Sequence, residues 1–127
     1  MPRAVYSDRS QPKPDTTFAA LNDKICRTLV GTLTDSPMSV SELANETEVP
    51  LSTTYKKIDR LKQAELVEEL TQVDPGGHHH HRYIVNLERL VVELTDKGDF
   101  IIHVERRLDT PETQLLEMWE SVRGHAQ

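Results

Sequence analysis

Apolar residues recur at helical spacing through the first half of the chain, and the period then shortens to that of strands. Phe18, Leu21, Ile25, Leu29 and Leu33 mark an amphipathic helix from Thr17 to about Thr34. A second helix starts at Ser39, whose hydroxyl can cap the first turn while Glu42 reaches back to its amide, and Val40, Leu43 and Ala44 form the apolar stripe. Glu46 to Pro50 ends it, since proline fixes its own backbone and pushes Val49 towards an extended conformation. A third helix begins at Leu51, with Thr54, Ile58 and Leu61 at i, i+4 and i+7 as its inward face.

Leu66 to Val73 and His81 to Val85 read as two strands around the turn Asp74-Pro75-Gly76-Gly77. Leu90 to Leu94 and Phe100 to Val104, around Thr95-Asp96-Lys97-Gly98-Asp99, predict a further hairpin. Thr110 and Pro111 supply a cap and first turn for a C-terminal helix displaying Leu115, Met118, Trp119 and Val122. Residues 1–16 carry no apolar periodicity, hold prolines at 2, 12 and 14, and read as a flexible N-terminal arm. Arg3, Arg9 and Lys13 also allow that arm to lie in a minor groove. The predicted fold is α+β: a winged helix-turn-helix over 17–105 with an extra β-hairpin, followed by a C-terminal helix in 106–127.

The outward face of the third helix carries Ser52, Thr53, Tyr55, Lys56, Lys57 and Arg60. Hydroxyls near a helix start can bond phosphate or base edges, an aromatic ring can meet a thymine methyl, and Lys or Arg can neutralise phosphate or read guanine. Lys56, Lys57, Arg60 and Lys62 against the single Asp59 give this helix a local charge of +3 in a chain of net charge −6. The basic surface is expected here. An exposed basic helix face is often only solvated, and the hairpin that follows is what favours DNA.

PMSVSELANETEVPLSTTYKKIDRLKQAELVEE, followed by a strand containing HHRYIV, resembles the ArsR-like winged helix-turn-helix regulators in the form common among halophilic archaea, over roughly residues 17–105. The resemblance implies dimeric operator binding, with Leu51 to about Ala64 in the major groove and the tip from Asp74 to Arg82 on the flanking backbone. Glu65 stands where these regulators usually carry a glycine, so the helix must be closed by other means. An acidic balance of 21 Asp and Glu against 15 Lys and Arg suits a salty cytoplasm, where counterion release contributes little to binding.

His78-His79-His80-His81 lies beside the wing turn. Alternate strand residues share a face, so only His79 with His81, or His78 with His80, can act together, and a closed zinc site takes four ligands. The preferred reading is that His79, His80, His81 and Arg82 contact the DNA backbone; metal sensing and pH-dependent charge stay open. Cys26, the only cysteine, reads as a small buried residue, with an intersubunit disulfide or oxidisable thiol as the alternative. The alternative would make the protein a direct redox sensor, and with no evident ligand pocket in the sequence a stress role such as oxidant response is the expected signal.

No catalytic motif is present, and no cofactor or metal is expected. The C-terminal helix needs a cover for its apolar face. It either packs back on its own domain or, as preferred, forms a two-fold homodimer through Phe18, Leu115, Met118, Trp119 and Val122, on a pseudo-palindromic site. No apolar run spans a bilayer, so the expected location is cytoplasmic, with double-stranded DNA as partner. The competing function is a protein-interaction module within a larger assembly.

Overall fold

The computed structural model describes residues 5–8 and 11–107. Four helices, α1 (Pro14–Leu21), α2 (Lys24–Leu33), α3 (Val40–Thr47) and α4 (Leu51–Gln63), precede two small antiparallel sheets. β2 (Glu68–Val73) and β3 (His79–Ile84) form the wing, in a register running from Glu68 opposite Ile84 to Val73 opposite His79. β4 (Leu87–Leu94) and β5 (Phe100–Arg107) form the extra hairpin, and β1 (Val5–Asp8) adds to it in the order β1-β5-β4. This is an α+β winged helix-turn-helix.

Three expectations are corrected. The single first helix is two, because Asp23 makes a better cap than interior residue: its carboxylate accepts from the Ile25 and Cys26 amides at 2.9 and 3.3 Å and starts α2 afresh. Phe18 and Leu21 consequently sit on α1, partly exposed, while Cys26, Leu29 and Leu33 fill the core from α2. Within the expected flexible arm, residues 5–8 pair with β5 as a strand, and α1 begins at Pro14. A short strand with no alternation of its own gives little sequence signal, because its register comes from the neighbour it joins. The extra hairpin is longer than expected, reaching Arg107, with a register shift between Leu87 and Arg89. Thr110, Pro111 and the residues of the C-terminal helix lie outside the described residues.

The core sits where the helices meet the base of the wing. Leu29, Leu43, Leu61 and Leu66 are fully or almost fully buried, with Ile58, Tyr83 and Val85 packed among them. The expected capping box is present: the Ser39 hydroxyl accepts from the Glu42 amide at 3.1 Å and a Glu42 carboxylate oxygen accepts from the Ser39 amide at 3.4 Å. One residue earlier, Met38 exchanges both backbone hydrogen bonds with Tyr83 of β3, at 3.1 and 2.8 Å. The start of α3 is thereby stitched to the wing.

Both helices of the helix-turn-helix end with a glutamate in the left-handed region, Glu48 at φ 58° and Glu65 at φ 60°. At the end of α4 the Glu65 amide donates to Lys62 O and the Leu66 amide to Leu61 O, each at 3.0 Å, the paired closure that glycine ordinarily serves. Glu65→Gly should therefore raise the unfolding free energy by roughly 0.5–1 kcal/mol, because relief of left-handed strain exceeds the added freedom of the unfolded chain. Urea denaturation checks this, and a lower midpoint would contradict it.

Arg106 holds that closure from the other sheet. The residue is 5% exposed, and its side chain donates to Glu65 O at 3.0 Å and to Asn86 Oδ1 at 2.9 Å, with Glu68 Oε1 3.8 Å away. The Arg107 amide donates to Asn86 O at 2.9 Å. Arginine suits this junction because its fork of donors can meet a carbonyl and a side-chain amide at once.

Candidate nucleic-acid interface

α4 buries Thr54, Ile58 and Leu61, as its periodicity requires, and Thr54 donates its hydroxyl back to Pro50 O at 3.0 Å. On the far side, Ser52, Tyr55, Lys56, Asp59 and Gln63 are all exposed and follow one another at i, i+3, i+4 and so on. Tyr55 is 55% exposed. Lys56 has no ion-pair or hydrogen-bond partner among the described residues. Asp59 and Gln63 were not among the expected contacts, although the same spacing that selects Tyr55 and Lys56 selects them. Gln63 donates to Asp59 at 2.9 Å, which fixes both side chains on this stripe.

The basic helix face expected from sequence is largely neutralised. Lys57 Nζ lies 2.5 Å and Arg60 Nη1 3.1 Å from Asp23 Oδ2, the carboxylate that also caps α2. The Lys57 hydrogen bond, helped by the Cys26 and Ile25 amides, holds the Asp23 carboxyl below its usual range against the opposing effect of desolvation. Lys62 pairs with Glu69 at 2.5 Å, which lowers the Glu69 carboxyl and raises the lysine. Of the four cations on α4, Lys56 alone is uncommitted among the described residues. The partners lie on α2's cap and on β2, so local charge counting along one helix does not find them. Thr53 is half-buried beside the exposed stripe.

The Asp23 clamp yields a prediction with a sign. A carboxyl whose pKa is lowered on folding contributes stability above its unfolded value, and that contribution is lost as pH falls through the folded value. Asp23→Asn keeps a competent cap and removes the charge. We expect the variant to lose about 1 kcal/mol at neutral pH and to show a flatter loss of stability between about pH 5 and 3, by thermal melts across that range. An unchanged pH profile would count against the clamp. Releasing Lys57 and Arg60 should also steepen the salt dependence of any duplex binding by up to about two units of slope.

The wing tip is held by Asp74. One carboxylate oxygen accepts from the Gly76 and His78 amides at 2.9 Å each, while the other lies 3.0 Å from His80 Nε2. The His80 contact, then the His78 and Gly76 amides, hold the Asp74 carboxyl below its usual range. Gly77 takes the left-handed position, φ +84°, that completes the turn. β3 begins at His79, two residues earlier than expected, so the tip is Asp74 to His78 and the histidines lie mostly in the strand.

His79 and His81 face the same way as Thr71 and Glu69 across the ladder, and His81 Nδ1 lies 3.0 Å from Glu69 Oε1. His78, His79, His80 and His81 are all exposed. No cluster of three or more metal-ligating side chains occurs among the described residues. Arg82 is half-buried, within 3.3 Å of Glu42 and 3.4 Å of Pro37 O. Together with Ser39, Ser41 and Tyr55, the strand from His79 to Tyr83 borders an open groove of about 340 Å³ between the start of α3, α4 and the wing. The structure thus gathers Tyr55, His79, His80, His81 and Arg82 around one groove and turns Lys57 and Arg60 away to Asp23.

Cys26 is fully buried, and burial, then the Asp23 charge, pushes its thiol up from the ordinary range. Thiolate is scarce in this state. Of the expected subunit contacts only Phe18 lies in the described residues, partly exposed; Leu115, Met118, Trp119 and Val122 lie outside them.

Helix pair, exposed second helix and hairpin define a winged helix-turn-helix domain, with no helix among the described residues long and apolar enough to cross a membrane. Residues 21–69, from the end of α1 to β2, match the family model of the helix-turn-helix domain, and this segment is similar to the DNA-binding domains of transcription regulators. No curated protein and no solved structure matches the chain.

Proposed function

We propose that the protein is a sequence-specific DNA-binding transcription regulator of ArsR-like type, acting in the cytoplasm as a homodimer on a pseudo-palindromic promoter site. The observation that carries this is the exposed polar stripe Ser52, Tyr55, Lys56, Asp59 and Gln63, of which Tyr55 borders the groove beside the wing. With one uncommitted lysine, α4 is suited to reading base edges more than to neutralising phosphate: glutamine can pair with adenine, a carboxylate can accept from cytosine, and tyrosine can meet a thymine methyl. The wing histidines and Arg82 would meet adjacent phosphates, since an imidazole N–H donates to phosphate oxygen. Weak reliance on charge fits a chain of net charge −6 and the salty setting that its resemblance to halophilic regulators suggests.

An oxidant response through Cys26 would first have to expose it, because the thiol is packed in the core. The second reading, a protein-interaction module, is favoured by the internal pairing of Lys57, Arg60 and Lys62.

Fluorescence anisotropy of the purified chain with a labelled duplex from its own upstream region, over several salt concentrations, separates the two. Binding with two chains per duplex, resisted by unrelated competitor DNA, is the expected result. No binding at any salt would hand the surface to a protein partner.

A further inference from the structure

Asp59 is the one carboxylate on the exposed stripe of α4. Among the described residues no cation lies within ion-pair distance of it: Lys57 and Arg60 are turned to Asp23, Lys62 is turned to Glu69, and Lys56 has no ion-pair partner. Its hydrogen bond comes from Gln63, whose Nε2 donates to Oδ2 at 2.9 Å and leaves Oδ1 without a partner among the described residues.

At about 100° per residue, Ser52, Lys56, Asp59 and Gln63 fall within about 60° of arc. That arc lies opposite the buried Thr54, Ile58 and Leu61. A helix laid in the major groove turns the middle of its outward face to base edges and its flanks to the two rows of phosphates. Asp59 therefore stands where bases are met, and a carboxylate there is selective because it only accepts. Guanine presents two acceptors, N7 and O6; thymine presents O4 and a methyl group; adenine sets the acceptor N7 beside its amino group. Cytosine alone offers an amino group with no acceptor on its own major-groove edge.

We infer that Asp59 is a specificity-determining residue of α4, accepting from the N4 amino group of one cytosine in the bound site and rejecting the other three bases at that position. The inference rests on the DNA-binding reading and adds the base that one residue selects. The same charge repels phosphate, so it lowers affinity for unrelated duplex while it favours the correct one, and selectivity gains from both effects.

Selection from a random duplex pool by the full chain, by Asp59→Asn and by Asp59→Ala tests this, followed by anisotropy on the wild-type duplex and its single-base-pair variants. For the wild type one cytosine is expected to be required, and its replacement by thymine to weaken binding about tenfold or more. Asp59→Asn should move the preference at that base pair to adenine, because an asparagine amide matches the adjacent donor and acceptor of adenine. Asp59→Ala should bind all four alternatives there about equally, and unrelated duplex more tightly than the wild type does. Circular dichroism should not change, since the side chain is exposed. A selected motif and single-base-pair penalties common to all three proteins would overturn the assignment and leave DNA binding intact. Uniform tightening by both variants with the motif unchanged would overturn it too, reducing Asp59 to a charge that repels the backbone. If a variant enriches no sequence, its penalty for thymine on the wild-type duplex decides: a loss equal to the wild type's counts against Asp59. A wild type that binds no duplex would end the DNA-binding reading, and the assignment with it.

Discussion

Replacing Arg106 with alanine is expected to lower the unfolding free energy by about 3 kcal/mol, the largest stability effect of any single change outside the apolar core. The guanidinium is buried and donates to two acceptors on different elements, the Glu65 carbonyl at the end of α4 and the Asn86 side chain between the two sheets. Alanine leaves both without that donor and opens a cavity where the fork stood. For a domain of this size the midpoint of thermal unfolding should fall by more than about 10 °C. Lysine should recover little, because one ammonium cannot span both acceptors in the same geometry. Thermal and urea melts of Arg106→Ala and Arg106→Lys measure this; a shift below about 1 kcal/mol for alanine would mean that the junction is held chiefly by backbone pairing.

The second large effect is expected on duplex binding. Tyr55→Ala should weaken binding roughly ten- to hundredfold, about 1–3 kcal/mol, and should do so unequally among duplexes altered one base pair at a time. Lys56→Ala should weaken all duplexes to a similar degree and reduce the salt slope by about one unit. The two residues are adjacent, so the double variant is not expected to show the sum. Lys57→Ala serves as the contrast: its ammonium is spent on Asp23, so it should change stability more than binding. Competition anisotropy at fixed salt gives all three values. Equal losses from Tyr55→Ala and Lys57→Ala would indicate that the stripe does not face the duplex.

Much of this architecture is legible in the residues themselves. The Ser39 and Glu42 box, the inward stripe of Thr54, Ile58 and Leu61, and the Asp74-Pro75-Gly76-Gly77 turn are local devices, and each forms as its spacing implies. The break between α1 and α2 was signalled by Asn22-Asp23, two residues that compete with helix interior bonding, but the apolar period running across them masked it. Charge was the least legible property. Lys57 and Arg60 are separated from Asp23 by 34 and 37 residues, and no local count pairs them. Glu65 shows the same limit from the backbone side: a residue poorly suited to the left-handed region stands there, and the donor to its carbonyl, Arg106, lies 41 residues on.

The Asp74 turn bears on how quickly a duplex can be engaged. A carboxylate that already ties two amides and lies beside two imidazoles leaves the hairpin tip few alternative shapes to surrender on contact. Loops that must be frozen by their target charge that ordering against affinity. This one arrives set, so under the proposed function its encounters with DNA should be governed by diffusion and orientation, with little induced rearrangement at the tip.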